Sequence, residues 1–374
     1  MLLIRRRIQD AGASVVLWLD YLVYLIFNLH KFKAIPRKIE RILVVETRNI
    51  GDIIVATPVL RTLREKFPQA RIDILVKERW KEVLRGNKQL NNIIPWDNNY
   101  KSIPRLLKET RYDLGILLHI GSFRLSNALR ESKIKYRIGC AKEGMLTGKG
   151  FFLHKKIVPR IRWRHKIEDN LDVIRSVGII PLNKELEIHA SKEDEQTINK
   201  ELLKNKVLSN HFKVCIHANS QHASQRWYKD RFVQVANKLI KKYNAKIIFT
   251  GLEQDKPYIE NILRKVKYPH ECVNFAGKTS FGELVVAIKS MNLIISIDTS
   301  IVHVASALQK PIIALFGPTV PTFWGPRSEK SITLWKNKVC TGCRYNTCVI
   351  TRHDCMMNIQ VEDVLNAVEE MLKK

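Results

Sequence analysis

From Arg41 onward the chain alternates short apolar runs with longer amphipathic stretches, the pattern that builds βαβ units around a parallel sheet. In the first half, ILVVE (Ile42–Glu46), IDILV (Ile72–Val76) and LGILL (Leu114–Leu118) predict strands, because short β-branched segments bounded by polar turns suit burial on both faces. Helical periodicity over Pro58–Phe67 separates the first two. A strongly basic stretch with little periodicity follows, including KYRIGC (Lys135–Cys140) and PRIRWRHK (Pro159–Lys166). It leads into a helix over Lys166–Val177 and a polar segment, Leu182–Asp194, that reads as a linker.

The second half restarts the alternation with KVCIHA (Lys213–Ala218), KIIFTG (Lys246–Gly251), LIISID (Leu293–Asp298) and PIIALFG (Pro311–Gly317). A last helix, Val361–Leu372, is expected to pack back across the domains. The pattern thus predicts an α/β protein with two doubly wound parallel sheets facing a cleft. The expected divisions are an N-terminal segment over 1–38, a first domain over 39–182 and a second over 183–374.

The N-terminal segment is apolar from Ala13 to Leu29, with Arg5, Arg6 and Arg7 before it and Lys31, Lys33, Arg37 and Lys38 after. It falls short of the roughly 20 residues a spanning helix needs, and Asp20 stands in its middle. Asp20, Tyr24 and Asn28 recur every fourth residue and would share one polar stripe, which fits a helix lying at a membrane interface or docked on the protein's own surface. No small-residue cleavage site follows, so the catalytic part is expected in the cytoplasm.

Composition narrows the partners. With 45% hydrophobic and 27% charged residues, the 374-residue chain has the make-up of a folded globular protein. Its net charge of +28 implies anionic surroundings. Lys and Arg are dispersed and no nucleic-acid-binding signature occurs, so a membrane bearing phosphorylated lipids is the expected partner and nucleic acid is not. An odd total of seven cysteines, without an export signal, points to a reducing compartment.

Two segments carry candidate chemistry. After the first strand comes a loop holding Asn49, Gly51 and Asp52, where open α/β sheets gather ligands; the competing reading is that Asp52 only caps the next helix. In the second half, Asp298, Thr299 and Ser300 close a strand and lead into a helix carrying His303. A helix start with added hydroxyls can cradle a diphosphate, although capping by Asp298 and Thr299 and a core position for His303 would look alike in sequence.

Taken together, NIGDIIVATPVLRTLREKFPQA, GLEQD and FAGKTSFGEL…IDTSIVHVASALQKPIIALFGPT resemble the ADP-heptose:lipopolysaccharide heptosyltransferases of glycosyltransferase family 9, in this order and from about Arg41 to near the C-terminus. The resemblance implies a GT-B architecture and an inverting transfer of heptose from ADP-heptose to an anionic, lipid A-linked core acceptor at the inner face of the cytoplasmic membrane. It implies that Asp52 is the base that takes the acceptor's proton, and that Gly251, Glu253, Asp298, Thr299, Ser300 and His303 belong to the donor site. No metal is required for the chemistry in this reading.

Two departures qualify that picture. Family members commonly have Gly where Ser300 stands. They commonly have Lys two residues before Trp227, where this chain has Gln225, followed by Arg226 as a candidate substitute and with His222 as a weaker one. In CTGCRYNTCVITRHDCM, a Cys-rich loop before the final helix that resembles some members of the same family, Cys340, Cys343, Cys348 and Cys355 suit a structural Zn or Fe, with His353 able to replace one of them, or else remain free or disulfide-paired thiols. Related enzymes that glycosylate surface proteins carry an iron-binding cysteine motif. The alternatives therefore include a protein acceptor, another nucleotide-sugar, or a weakened nucleotide-binding relative.

Overall fold

The computed structural model describes residues 35–36, 38–118, 122–140, 150–157, 164–336 and 354–373. The expected interfacial helix, Ala13–Leu29, lies outside them, as do Cys340, Cys343, Cys348 and His353. No helix among the described residues is long and apolar enough to cross a membrane.

Two compact units divide near Lys184, with the short segment Glu82–Asn87 and the residues around His165 belonging to the second. The first unit holds β1 (Arg41–Val45), β2 (Arg71–Lys77), β3 (Asn92–Trp96), β4 (Leu114–Leu117), β5 (Tyr136–Cys140) and β6 (Lys155–Ile157). They form one parallel sheet in the order β3-β2-β1-β4-β5-β6. β1 lies at its centre with Ile42 to Val45 fully buried, and Val44 faces Ile74 on one side and Ile116 on the other. Burying each such side chain contributes about 1.5–3 kcal/mol, which sets the register of the central strands.

The second unit repeats the winding with β7 (Lys213–His217), β8 (Lys246–Phe249), β9 (Cys272–Asn274), β10 (Leu293–Ile297), β11 (Ile312–Phe316) and β12 (Ser331–Trp335). Its order is β12-β11-β10-β7-β8-β9, again all parallel. Renumbered from its own first strand, this is the same sequence of crossovers as in the first sheet. Each unit is a six-stranded Rossmann-like fold, and in each the winding reverses beside the first strand: between β1 and β4, and between β7 and β10.

The strands that periodicity missed have local reasons for being hard to read. β3 (NIIPW) contains Pro95, which a sheet accepts here because β3 is an edge strand. β5 falls in the stretch read as irregular. Its Arg137 is buried, with Nε donating to the carbonyl of Phe152 at 2.7 Å and Nη1 to that of Ile134 at 2.7 Å. Its Gly139 leaves room for Leu117 and Leu153, which a Cβ would meet within 2.9 Å. The expected linker ends earlier than its polarity suggests: Ser191 and Asp194 form a capping box that starts the helix Lys192–Lys204.

The final helix, Val361–Lys373, packs on the second unit. Val361, Val364, Ala367, Val368 and Met371 enter that unit's core, against the helix Lys229–Tyr243 and strands β11 and β12. Trp227, fully buried, donates Nε1–H to the carbonyl of Ile359 at 2.9 Å and ties the helix to the loop after β7. The helix's apolar stripe is thereby used up on the second sheet.

Candidate functional site

In the first unit, β1 runs into Glu46, Thr47 and Arg48 before Asn49 precedes the short helix Ile50–Ile54, which carries Gly51 and Asp52. Asp52 is buried at the reversal of winding. Its Oδ2 accepts from the backbone N–H of Asn49 at 3.2 Å, so capping is part of its role. Its Oδ1 lies 2.8 Å from Nη2 of Arg48. Arg48 in turn binds the fully buried Glu46, donating to Oε1 from its backbone N–H at 3.1 Å and from Nε at 3.2 Å, and to Oε2 from Nη2 at 3.2 Å. Burial works against the charged guanidinium, but Glu46 and Asp52 outweigh it and hold Arg48 firmly protonated.

The second unit gathers a larger polar group at the ends of β7, β8 and β10. Asp298, directly after β10, is buried. Its Oδ2 accepts from Nε2 of Gln225 at 2.9 Å, and the Thr319 hydroxyl is a further hydrogen-bond partner. Ser220 donates to Oε1 of Gln225 at 2.7 Å, completing a chain from the loop after β7 to the loop after β11. Burial pushes the Asp298 carboxyl up to about 6, against the pull of Thr319 and Gln225.

Thr299 caps the helix Ser300–Ala307, its hydroxyl accepting from the N–H of Ile301 at 3.4 Å. Ser300 takes the first helical position, half-exposed, and is not among the described residues with positive φ. A side chain in place of the usual glycine therefore causes no backbone strain. His303, one turn on, is buried, and its Nδ1 has no hydrogen-bond partner among the described residues. Burial lowers it to about 4, so the ring is neutral at pH 7. His165 and Trp324 meet it edge-on, with centroids 6.3 Å and 5.8 Å away.

Gly251 follows β8 because a Cβ there would meet Asp255 at 2.9 Å. Glu253 is exposed and folds over Gly277, which adopts φ +70°; a Cβ on Gly277 would lie 1.8 Å from Oε2 of Glu253. Arg226 turns away from Asp298, its Nε donating to the carbonyl of Ser220 at 2.9 Å and its guanidinium lying 5.9 Å above the Tyr258 ring. Gln225 itself therefore fills the place beside Asp298, and Arg226 does not bring a charge there by a shift of register. His222 stands just before the turn Ala223–Gln225.

Several polar residues of this group did not stand out in the sequence. His217 at the end of β7 has Nδ1 3.0 Å from the Thr250 hydroxyl, and burial lowers it to about 4. Asn219 donates Nδ2–H to Asp255 at 2.8 Å, and Asp255 also accepts from the N–H of Leu252 at 2.8 Å. The available signal was their position directly after apolar runs that end at the reversal of winding. Of the cysteine cluster, Cys355 alone is described; it is buried, and a Cβ on Gly317 would meet its Sγ at 3.3 Å.

Comparison with known proteins supplies the family and supports the fold. The profile of glycosyltransferase family 9 (heptosyltransferase) matches residues 101–353. The chain belongs to glycosyltransferase family 9, and it is a glycosyltransferase. It is 27% identical over 342 residues to lipopolysaccharide heptosyltransferase 3 of Escherichia coli K12, covering 86% of this chain and 95% of that protein. Among solved structures, a family 9 glycosyltransferase from Veillonella parvula superposes with a TM-score of 0.80 at 22% identity, over 91% of this chain and 99% of the other. The ADP-heptose lps heptosyltransferase II of E. coli gives 0.73 at 22% identity, over 89% and 98%. These likenesses agree with the GT-B fold read from the two sheets.

Proposed function

We propose that the chain is an inverting heptosyltransferase that moves heptose from ADP-heptose to a lipopolysaccharide core acceptor linked to lipid A. The observation that carries this reading is the polar chain Ser220–Gln225–Asp298–Thr319 beside a capped helix start, in a member of a heptosyltransferase family. The backbone N–H groups that open the helix Ser300–Ala307, the hydroxyls of Thr299 and Ser300 and the neutral imidazole of His303 supply dipoles for a diphosphate. Glu253 accepts from ribose hydroxyls. Gln225 offers a dipole in place of a charge.

Asp52 takes the proton of the acceptor hydroxyl as that oxygen attacks the anomeric carbon. The bond from that carbon to the diphosphate oxygen breaks, its electron pair leaves with the ADP, and the configuration inverts. Asn49 and Gly51 shape the acceptor side of this loop. The net charge of +28 suits an acceptor bearing phosphates or acidic sugars and peripheral contact with the inner face of the cytoplasmic membrane. The chemistry needs no metal, and the cysteine cluster holds a structural Zn or Fe; metal analysis of the purified chain before and after replacing Cys355 tests the latter.

The deciding experiment incubates the chain with a panel of nucleotide-sugars and a heptose-deficient lipopolysaccharide core, and follows products by mass spectrometry. Addition of one heptose from ADP-heptose alone is the expected result. Turnover with a different donor, or onto a protein, overturns the substrate assignment. Binding of ADP without turnover on any acceptor marks an inactive relative.

A further inference from the structure

The acidic partner of Arg48 has no place in the mechanism above, although it is fully buried directly behind the proposed base. Arg48 lies between two carboxylates, with Nη2 3.2 Å from Oε2 of Glu46 and 2.8 Å from Oδ1 of Asp52, while Nε and the backbone N–H hold Oε1 of Glu46. Both oxygens of Asp52 are engaged, one by Arg48 and one by the N–H of Asn49. A carboxylate that faces a full positive charge and a capping N–H is a weak base, since both contacts favour its ionised form. Glu46 divides the guanidinium's charge and relieves that effect.

We propose that Arg48 is a positioning residue that fixes the Asp52 carboxylate, and that Glu46 behind it sets the basicity of Asp52 by sharing the Arg48 charge. Three elements contribute the groups around this triad. Lys77 at the end of β2 feels both Asp52 and Glu46, Arg79 lies next to Lys77, and Cys140 at the end of β5 lies beside Arg48. None of these substitutes for Glu46, because the Glu46 carboxylate is the one that grips Arg48 through three donors.

The inference rests on Asp52 acting as the base, so its test reads the carboxyl directly as well as through turnover. The full chain is labelled at the aspartate carboxyl carbon and titrated by NMR, with the Asp52 signal assigned by its loss in Asp52→Asn. In Glu46→Gln the whole Arg48 charge falls on Asp52, and its titration is expected to move down by roughly one pH unit from that of the parent. In Glu46→Gln/Arg48→Met both charges are gone and the titration is expected to move above the parent's. Arg48→Lys keeps the charge but loses the fork, and should broaden the Asp52 signal with a smaller displacement.

With ADP-heptose and the core acceptor, the acid limb of kcat/KM should follow the same two directions, while donor KM stays unchanged. An Asp52 titration that moves in neither variant overturns the inference. If it moves as stated while Asp52→Asn turns over like the parent, the charge-sharing stands and the assignment of Asp52 as base is what fails.

Discussion

Gln225 and Asp298 are joined by a 2.9 Å hydrogen bond from the amide of the first to Oδ2 of the second, at a place where the family resemblance leads one to expect a lysine. The amide hydrogen-bonds the buried carboxyl without neutralising it, so the proposed donor site would meet a diphosphate with dipoles. Gln225→Lys would restore a cation. Charge-assisted bonds to phosphate are roughly twice as strong as neutral ones. ADP affinity measured by calorimetry at fixed salt should rise about tenfold, and an unchanged affinity would show that this position does not face the nucleotide.

Asp298 also makes a prediction about pH. Its carboxyl holds a proton up to about 6 in the folded protein against 3.8 ordinarily, so the folded state binds more protons between those values and loses stability as pH rises through them. Asp298→Asn removes this cost. Thermal melts should find the variant more stable than the parent at pH 8 by about 2–3 kcal/mol, with the gap closing below pH 4.

The buried histidines work in the opposite direction. His217 and His303 are both lowered to about 4 by burial, whereas an ordinary histidine titrates at 6.5. Their contribution is complete above 6.5 and is lost as pH falls toward 4. His303→Phe should therefore lose less stability than the parent between pH 6.5 and 4, while His217 continues to contribute. Parallel melting curves for the two proteins would contradict a neutral, buried His303.

Asp52→Asn keeps the size and removes the carboxylate proposed as the base. Turnover should fall by about two to four orders of magnitude, with ADP binding unchanged because the residues proposed for the donor lie in the other unit. Release of ADP followed by a coupled assay, beside calorimetric ADP binding, separates the two effects.

Gly277 is a sharper test of the ribose contact proposed for Glu253. Alanine there meets the φ of +70° and the Glu253 carboxylate together, and should cost about 1–3 kcal/mol of stability. It should also weaken ADP binding at least as much as Glu253→Gln does. A variant that melts lower yet binds ADP normally would show that Glu253 does not serve the nucleotide.

Local pattern carried much of the architecture, because parallel strands buried on both faces leave an unmistakable apolar signature: β1, β2, β4, β7, β8, β10 and β11 were all legible from it. The strands it missed either sit at an edge, as β3 with Pro95 does, or hide polar residues whose partners are remote in sequence, as Arg137 in β5 does with Phe152. The same division runs through the two polar sites. Asp52, Asp298, Thr299 and His303 drew attention because they lie in the segments where a central strand gives way to a helix, but the roles expected of them came from the family resemblance and not from local pattern.

What the amino-acid order determined by itself was the alternation of strands and helices in two halves and the central strands of each, since these follow from short-range periodicity. Tertiary structure decided which side chains meet: that Gln225 and not Arg226 stands beside Asp298, that Glu46 lies behind Arg48, and that the last helix closes on the second sheet. Those choices depend on the competition for buried hydrogen bonds and apolar area among segments up to a hundred residues and more apart, which no local pattern encodes.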